Sequence, residues 1–452
     1  MNPPTTSTRH ALGQAIGLTA FVWGYPLVES LRTCRLQTLT GNGEHASWRS
    51  EIDQLQHVRR VSTDADRDVV TPANDLLYTT GWINLANGPR LLHVPAAARH
   101  PGRYFVLALY DAWTNNFDNP GLRNCAAGGE AIWLVGPDHP ADALPADGRR
   151  VLRAPTDLVW LIARVLAGAG DDVIAAQALQ AEIRLELPEG TRSGARPGVV
   201  DHWSGPPEDT MAAWMARPDD LENFGPHFFN NLCHGLASQK VPESDTGLAR
   251  WIASQGLMPD LSFDFFQLDE ALRAGLLQGL RDGAALMLEG SRSRKARPWA
   301  THFGLGRYGC DYLVRALTAY KGLGALAADE AVYAMGDFDA ARAPLHGRQR
   351  YRLRFEPGEL PPVDAFWSVT LYDADRFLYP NALGRHSIGD RTPDLVHDAD
   401  GGLTLAISHE PPADRRNWLP APAGQFYLVL RMYLPRPEVR SWTIPPLQAE
   451  SA

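Results

Sequence analysis

The chain has 452 residues, more than one hydrophobic core can organise, because cores stop growing beyond roughly 250–300 residues and longer chains split into domains. Its 44% hydrophobic and 21% charged residues are those of a soluble globular protein, with 13 Trp, 13 Tyr and 15 Phe to line surfaces. A net charge of −9, with no basic stretch denser than Ser291-Arg-Ser-Arg-Lys-Ala-Arg297, argues against a nucleic-acid partner, and Cys34, Cys125, Cys233 and Cys310 form no C-x-x-C pair and indicate neither a disulfide framework nor a zinc knuckle.

Residues 1–60 read as an N-terminal helical extension, with Ala15, Ile16, Leu18, Phe21 and Val22 on a helical period. Only Arg9 precedes the apolar stretch Ala11 to Val28, Gln14, Gly17 and Gly24 interrupt it, and no cleavage pattern follows, so it reads as a buried helix rather than a signal peptide. No other stretch approaches the ~18 apolar residues that span a bilayer. The expectation is no membrane span and a cytoplasmic location.

Residues 61–206 change texture to short apolar runs broken by Gly and Pro: Leu76–Asn84, Arg90–Pro95, Tyr104–Tyr110, Ala131–Gly136 and Leu158–Val165. Residues 207–325 return to a helical period through Met211-Ala-Ala-Trp-Met215, Phe228–Leu236, Leu248–Ile252 and Leu268–Leu288, with Glu243-Ser-Asp-Thr as a cap for a helix starting at Gly247. Residues 326–452 are strand-like again, in Gln349–Phe355, Phe366–Tyr372, Leu403–Ser408 and Phe426–Tyr433. The expected fold is α+β: two related β-sandwich-like (jelly-roll-like) domains, the helical extension before them and a helical module between.

The two β regions are similar to each other. At an offset of 262 residues, Tyr104-Phe-Val-Leu-Ala-Leu-Tyr-Asp-Ala112 lies over Phe366-Trp-Ser-Val-Thr-Leu-Tyr-Asp-Ala374, so Tyr110-Asp111 matches Tyr372-Asp373. In the same ungapped register Asn119 falls on Asn381 and Arg123 on Arg385. Further on, Val159-Trp-Leu-Ile-Ala-Arg164 resembles Phe426-Tyr-Leu-Val-Leu-Arg431, an aromatic-apolar strand ending in Arg.

Each Tyr-Asp pair ends a strand and enters a loop, where sites are commonly grafted onto a rigid sheet. Two readings stay open: Asp111 and Asp373 brace their loops by accepting backbone amides, or they sit at a cleft and do chemistry. The copies diverge at Trp113-Thr-Asn115-Asn116-Phe117, where amides beside rings suit a small polar ligand or a stabilised loop. Asn74-Asp75-Leu-Leu-Tyr78 and Asn417-Trp418-Leu-Pro-Ala-Pro-Ala-Gly424 are further polar clusters, the latter reading first as a rigid turn. Asp311 and Arg315 are spaced as a surface pair on a helix, and Tyr308 and Tyr312 as an aromatic stripe. No G-x-S-x-G, H-E-x-x-H, Walker or G-x-G-x-x-G motif occurs. His227 and His234 are a weak metal pattern that reads as a helix face.

Ala20-Phe-Val-Trp-Gly-Tyr-Pro26, Asn74-Asp75-Leu-Leu-Tyr78, Gly88-Pro89 and Tyr110-Asp111 resemble the bacterial domain of unknown function 1254. Phe366-Trp-Ser-Val-Thr-Leu-Tyr372, Asn381, Arg385, Asn417-Trp418-Leu-Pro-Ala-Pro-Ala-Gly424 and Arg431-Met-Tyr-Leu-Pro435 are similar to its usual C-terminal companion, domain of unknown function 1214. The resemblance implies two β-sandwich-like domains with intervening helices in a homo-oligomer, and no assigned general activity. The sequence departs from the family where an Arg commonly separates the Asn and Asp, since Asn74 is followed directly by Asp75.

The resulting expectation is a cofactor- and metal-independent enzyme of hydrolase or lyase type, acting by acid–base chemistry on a small, partly apolar metabolite between the β domains. Asp75, Tyr78, Asp111 and Arg385 are its candidate catalytic residues. Asn115, Asn116, Tyr110, Tyr372, Asn381, Asn417, Trp418 and Arg431 are candidates for holding substrate. The alternatives are a non-catalytic carbohydrate- or lipid-binding protein and an oligomeric structural protein.

Overall fold

Strands whose residues are apolar at every position, rather than every second one, belong to a layer covered on both sides. Leu76–Asn84, Phe105–Asp111 and Leu158–Leu166 are buried along their whole length, as is most of Phe426–Pro435. In the computed structural model these are the middle strands of two sheets that face each other. The structure describes residues 5–38, 48–66, 71–168, 170–193, 198–206, 220–292 and 297–450, so the expected helical segment Met211–Met215 lies outside the described residues.

The first half contributes nine strands: β1 (Gln56–His57), β2 (Leu76–Asn84), β3 (Arg90–Val94), β4 (Phe105–Asp111), β5 (Asn116–Asp118), β6 (Glu130–Val135), β7 (Val151–Arg153), β8 (Leu158–Leu166) and β9 (Arg184–Glu186). They form a five-stranded sheet in the order β1-β2-β8-β4-β5 and a four-stranded sheet β7-β6-β3-β9. The second half repeats this with β10 (Trp299–Thr301), β11 (Ala331–Gly336), β12 (Tyr351–Phe355), β13 (Val363–Asp373), β14 (Ser387–Gly389), β15 (Leu403–Ser408), β16 (Trp418–Pro420), β17 (Phe426–Pro435) and β18 (Gln448–Ala449). Its sheets run β10-β11-β17-β13-β14 and β16-β15-β12-β18, so each strand keeps the place of its counterpart nine strands earlier. Even the single parallel pairing of each half recurs, β6 with β7 and β15 with β16. The chain is thus an α+β fold with two sheet-rich domains of one design. β10 lies within the stretch assigned from sequence to the helical module; pairing with β11 draws it into the second sheet.

The register locates where the ungapped repeat ends. Val106 lies opposite Gly121 and Ser368 opposite Gly389, an offset of 262 for the first residues and 268 for the second. Both glycines sit where a Cβ would meet the neighbouring strand, at 2.6 Å from the Phe105 carbonyl for Gly121 and against the Trp367 carbonyl for Gly389. Six extra residues therefore enter the second copy's loop, and the matches of Asn119 with Asn381 and Arg123 with Arg385 join residues that are not structurally equivalent.

One face of each five-stranded sheet packs on its own four-stranded partner. Phe105, Leu107, Leu109, Leu161 and Ile132 build that core in the first half, and Trp367, Val369, Leu371, Leu430 and Leu405 in the second. The opposite faces turn towards each other and towards the helices, whose side chains join them in one large cluster. Helix α1 (Thr6–Thr38) is long and apolar enough by composition to cross a membrane, and most of that stretch is buried inside the protein. Among the described residues the other helices longer than a single turn are α2 (Asp171–Gln180), α3 (Leu221–Ser238), α4 (Thr246–Ser254), α5 (Glu270–Arg292) and α6 (Tyr312–Gly322). Helix α1 meets α5 backbone to backbone: a Cβ on Gly17 would collide with the Leu276 carbonyl, and one on Gly279 with the Gln14 carbonyl. Glycine is required there by the closeness of the two helices.

Two expectations for the helices are corrected. Asp311 caps α6 by accepting from the Val314 amide at 3.1 Å and does not pair with Arg315. Arg315 lies on the inward face of α6, where only a buried carboxylate can balance it. That carboxylate is Asp245, 3.2 Å away and also bonded by Trp23 Nε1 at 2.9 Å and the Tyr312 hydroxyl at 3.0 Å. Asp245 precedes α4 but makes no side-chain capping bond, because its oxygens are committed to this cluster.

Candidate functional site

The matched Tyr residues have a reciprocal role at the domain interface. Tyr110, on β4, donates its hydroxyl to the Gly324 carbonyl at 2.7 Å, and Gly324 belongs to the loop leading into β11 of the other half. Tyr372, on β13, donates to the Pro72 carbonyl at 2.6 Å, in the loop leading into β2. Each Tyr is joined by the Arg that ends the matched strand. Arg164 donates to the Gly324 carbonyl at 2.7 Å, while Arg431 donates to the Thr71 carbonyl at 2.9 Å and the Tyr372 hydroxyl at 2.8 Å. Each half therefore grips the other by the same two residues. The equivalent residues Tyr104 and Phe366 touch across the interface with ring centroids 5.6 Å apart, as residues beside an approximate two-fold axis do.

Between the facing sheets lies a cavity of about 1090 Å³. Trp160, Ile162 and Tyr78 line it from the first sheet and Tyr333, Tyr427 and Val429 from the second, with α6 along one side. Among the described residues Arg164, Lys321, Arg376 and Arg431 also line it, against Asp337 alone among carboxylates. Among the described residues no carboxylate lies within ion-pairing distance of Arg164 or Arg431; their hydrogen bonds go to neutral oxygens. Burial works against both guanidiniums, yet their pKa values stand above the ordinary arginine value, through coupling to Tyr110 foremost for Arg164 and to Tyr372 foremost for Arg431 with Asp75 a further contributor there, so both are cations at neutral pH. Burial likewise pushes the Tyr372 phenol up to about 12, and raises Tyr333 and Tyr427. The phenols are therefore neutral donors at neutral pH.

Comparing the halves singles out one carboxylate. Glu330 immediately precedes β11, as Asp75 precedes β2, and Tyr78 and Tyr333 occupy matching places opposite Arg164 and Arg431. Glu330 is buried but fully engaged, by the Tyr104 hydroxyl at 2.8 Å and Arg123 Nε at 2.9 Å. Asp75 lacks both: Phe366 stands where Tyr104 would, and Asp75 Oδ1 is buried without a hydrogen-bond partner. Its side-chain neighbour Ser368, equally unpartnered, and the more distant Arg431 only partly oppose burial, so the Asp75 carboxyl stays above the usual range. The neighbouring Asn74 Oδ1 is also sealed without a partner.

Of the residues nominated from sequence, Tyr78 and Arg431 line the cavity, Tyr110 and Tyr372 accept hydrogen bonds from the arginines of its wall, and Asp75 acts on Arg431 electrostatically. The others are elsewhere. Asp111 accepts from the amides of Trp113 and Asn115 at 2.9 and 2.8 Å and from the Asn115 side chain at 2.9 Å, bracing its loop. Asp373 does the same for Asp375 and Phe377. Asn116 is buried against Asn119 and the Ala327 amide. Asn381 closes its own loop through Leu383 and Arg385, and Arg385 is consumed by the carbonyls of Arg415, Arg416 and Trp418 at 2.8–2.9 Å. Asn417 joins Val396 to Thr404, and buried Trp418 donates to the Ser408 carbonyl. His227 and His234 bond Ser204 and the Phe263 carbonyl respectively and do not converge. Asp75, Tyr78, Asp111 and Arg385 thus form no common catalytic centre.

Sequence reasoning missed Arg164, Tyr333, Tyr427, Lys321 and Arg376. The signal for Arg164 was present in the match of Val159–Arg164 to Phe426–Arg431. The others are brought to the cavity only by the fold.

Residues 52–187 match the family model described as protein of unknown function DUF1254, and residues 330–437 match protein of unknown function DUF1214. No curated protein matches the chain. Among solved structures, the VPA0106 protein from Vibrio parahaemolyticus superimposes with a TM-score of 0.70 at 23% identity, covering 97% of this chain and 100% of that one. An uncharacterized protein from Burkholderia cenocepacia gives a TM-score of 0.45 at 12% identity, covering 99% of this chain and 95% of that one. The first of these likenesses shows a shared fold across nearly the whole chain.

Proposed function

We propose that this chain, a tandem of DUF1254 and DUF1214, binds a small molecule with an acidic group and an apolar body in the cavity between its facing sheets. The observation that supports this reading is an inversion of charge. In a chain of net charge −9, the cavity wall carries four cationic side chains and one carboxylate among the described residues. A guanidinium buried without a counter-charge is costly, and an incoming carboxylate supplies one. The rings and aliphatic side chains between the cations suit an apolar body, and the volume is at the upper end of the roughly 300–1,000 Å³ usual for small-molecule sites. The test is thermal stabilisation by 2-naphthoate against its neutral analogue 2-naphthalenemethanol. Stabilisation by the acid alone, reduced in Arg431→Gln, is the expected result; equal stabilisation by the alcohol, or none by either, refutes the reading.

A second reading has its own support in Asp75. A carboxyl held up by burial, with a sealed oxygen and a cationic neighbour at the cavity wall, is suited to acid–base chemistry of hydrolase or lyase type without metal or nucleotide. Wild type and Asp75→Asn would be screened against carboxylate-bearing esters and β-hydroxy acids. Turnover lost in Asp75→Asn supports the reading, and equal turnover by both removes Asp75 from the chemistry.

A further inference from the structure

We infer that the cavity takes a ligand with two separated acidic groups, a dicarboxylate with an apolar spacer. This rests on the proposed function and follows from the duplication. Arg164 and Arg431 occupy equivalent places, each opposite a Tyr of its own sheet, Tyr78 and Tyr333. Each is charged and each lacks a carboxylate at ion-pairing distance among the described residues, Asp75 acting on Arg431 only from beyond that distance. One acidic group on the ligand balances one of them and leaves the other in the condition that made the first costly.

The two cations are anchored to different loops. Arg164 is tied to Gly324 and Arg431 to Thr71, loops on opposite sides of the interface. The strands that carry them belong to facing sheets, whose packing distance is about 10 Å. Two guanidiniums fixed to two different anchors present two separate places for an acidic group, which two carboxylates on a rigid apolar spacer fill together. Tyr333 lines the cavity and lies in the electrostatic field of both guanidiniums, which oppose the effect of its burial. Trp160, Ile162 and Val429 supply the apolar wall against which the spacer rests. Each guanidinium recognises a carboxylate best through paired N–H bonds, so a second acid adds a geometric requirement as well as charge.

The experiment is calorimetric titration of the full-length protein with naphthalene-2,6-dicarboxylate, 2-naphthoate and 2-naphthyl phosphate, which share one ring system. The inference expects the diacid to bind at least tenfold more tightly than either single-headed ligand. It also expects Arg164→Gln and Arg431→Gln each to reduce diacid affinity to about that of 2-naphthoate for the wild type. Arg164→Lys and Arg431→Lys keep the charge and retain part of the preference, which separates loss of an ion pair from loss of folding. Equal binding of the diacid and 2-naphthoate overturns the two-headed ligand while leaving the acid-binding cavity standing. Tighter binding of 2-naphthyl phosphate overturns the separation of the two cations. Failure of all three ligands to bind overturns both the inference and the reading beneath it.

Discussion

The reciprocal clasp makes an asymmetric prediction. In Tyr372→Phe the Pro72 carbonyl loses the hydroxyl that donates to it at 2.6 Å, and Arg431 loses an acceptor at 2.8 Å. Arg431 keeps Thr71 and Thr370 as partners, so its charge remains partly solvated. An unpaired buried carbonyl costs about 1–3 kcal/mol and a lost hydrogen bond to a charged donor a similar amount, so roughly 2–4 kcal/mol is expected after that compensation. In Tyr110→Phe the Gly324 carbonyl still receives Arg164 at 2.7 Å, and the Arg164–Tyr110 contact was already long at 3.4 Å. The cost there is expected near 1 kcal/mol. Urea unfolding followed by tryptophan fluorescence, both variants compared on the transition that loses the interface, measures the difference. Equal costs, a reversed order, or a Tyr372→Phe effect below about 0.5 kcal/mol would refute the clasp.

Asp245→Ala strands Arg315 as a buried cation and is expected to cost about 3–5 kcal/mol, with the double variant Asp245→Leu/Arg315→Met recovering much of it in the same unfolding assay. Gly279→Ala forces a methyl into the backbone of α1 at Gln14 and is expected to destabilise by about 1–3 kcal/mol or more, seen as a lower melting temperature. Burial holds the Asp111 carboxyl at about 6 despite its loop amides. The folded state then keeps a proton that the unfolded chain releases from about pH 4, so stability falls as pH rises from there to about 6. Asp111→Asn flattens that stretch; urea midpoints at two pH values within the window and one above it decide the matter.

The duplicated architecture was legible because strand β4 and the matching part of strand β13 align without a gap, and Phe366–Tyr372 is buried throughout as β4 is. Helix α1 was legible in the expected extension 1–60 as a long apolar period, whereas β1, in the same stretch, was not, because two residues joining a sheet edge leave no pattern. Beyond Asn116 and Leu378 the sequence misleads, since six extra residues in the second loop shift the register and a chance Asn and Arg fill the ungapped frame. Asp111, Asn116 and Arg385 have the residue types of a site, but whether such a side chain braces its own loop or reaches a ligand depends on carbonyls that the sequence does not position. The cavity is a property of two sheets facing each other. Its cations come from β8, β17, α6 and the loop after β13, elements far apart in the chain, so no local pattern announces them. The difference between Asp75 and Glu330 likewise became visible only once the halves could be superimposed strand by strand.

The most direct test of the central claim is a crystal structure of the protein with 2-naphthoate. The account predicts density for the ligand between β8 and β17, its carboxylate on the Arg164 or Arg431 guanidinium and its rings against Trp160 and Val429. A ligand ordered elsewhere on the protein, with only water against those two guanidiniums, would contradict it.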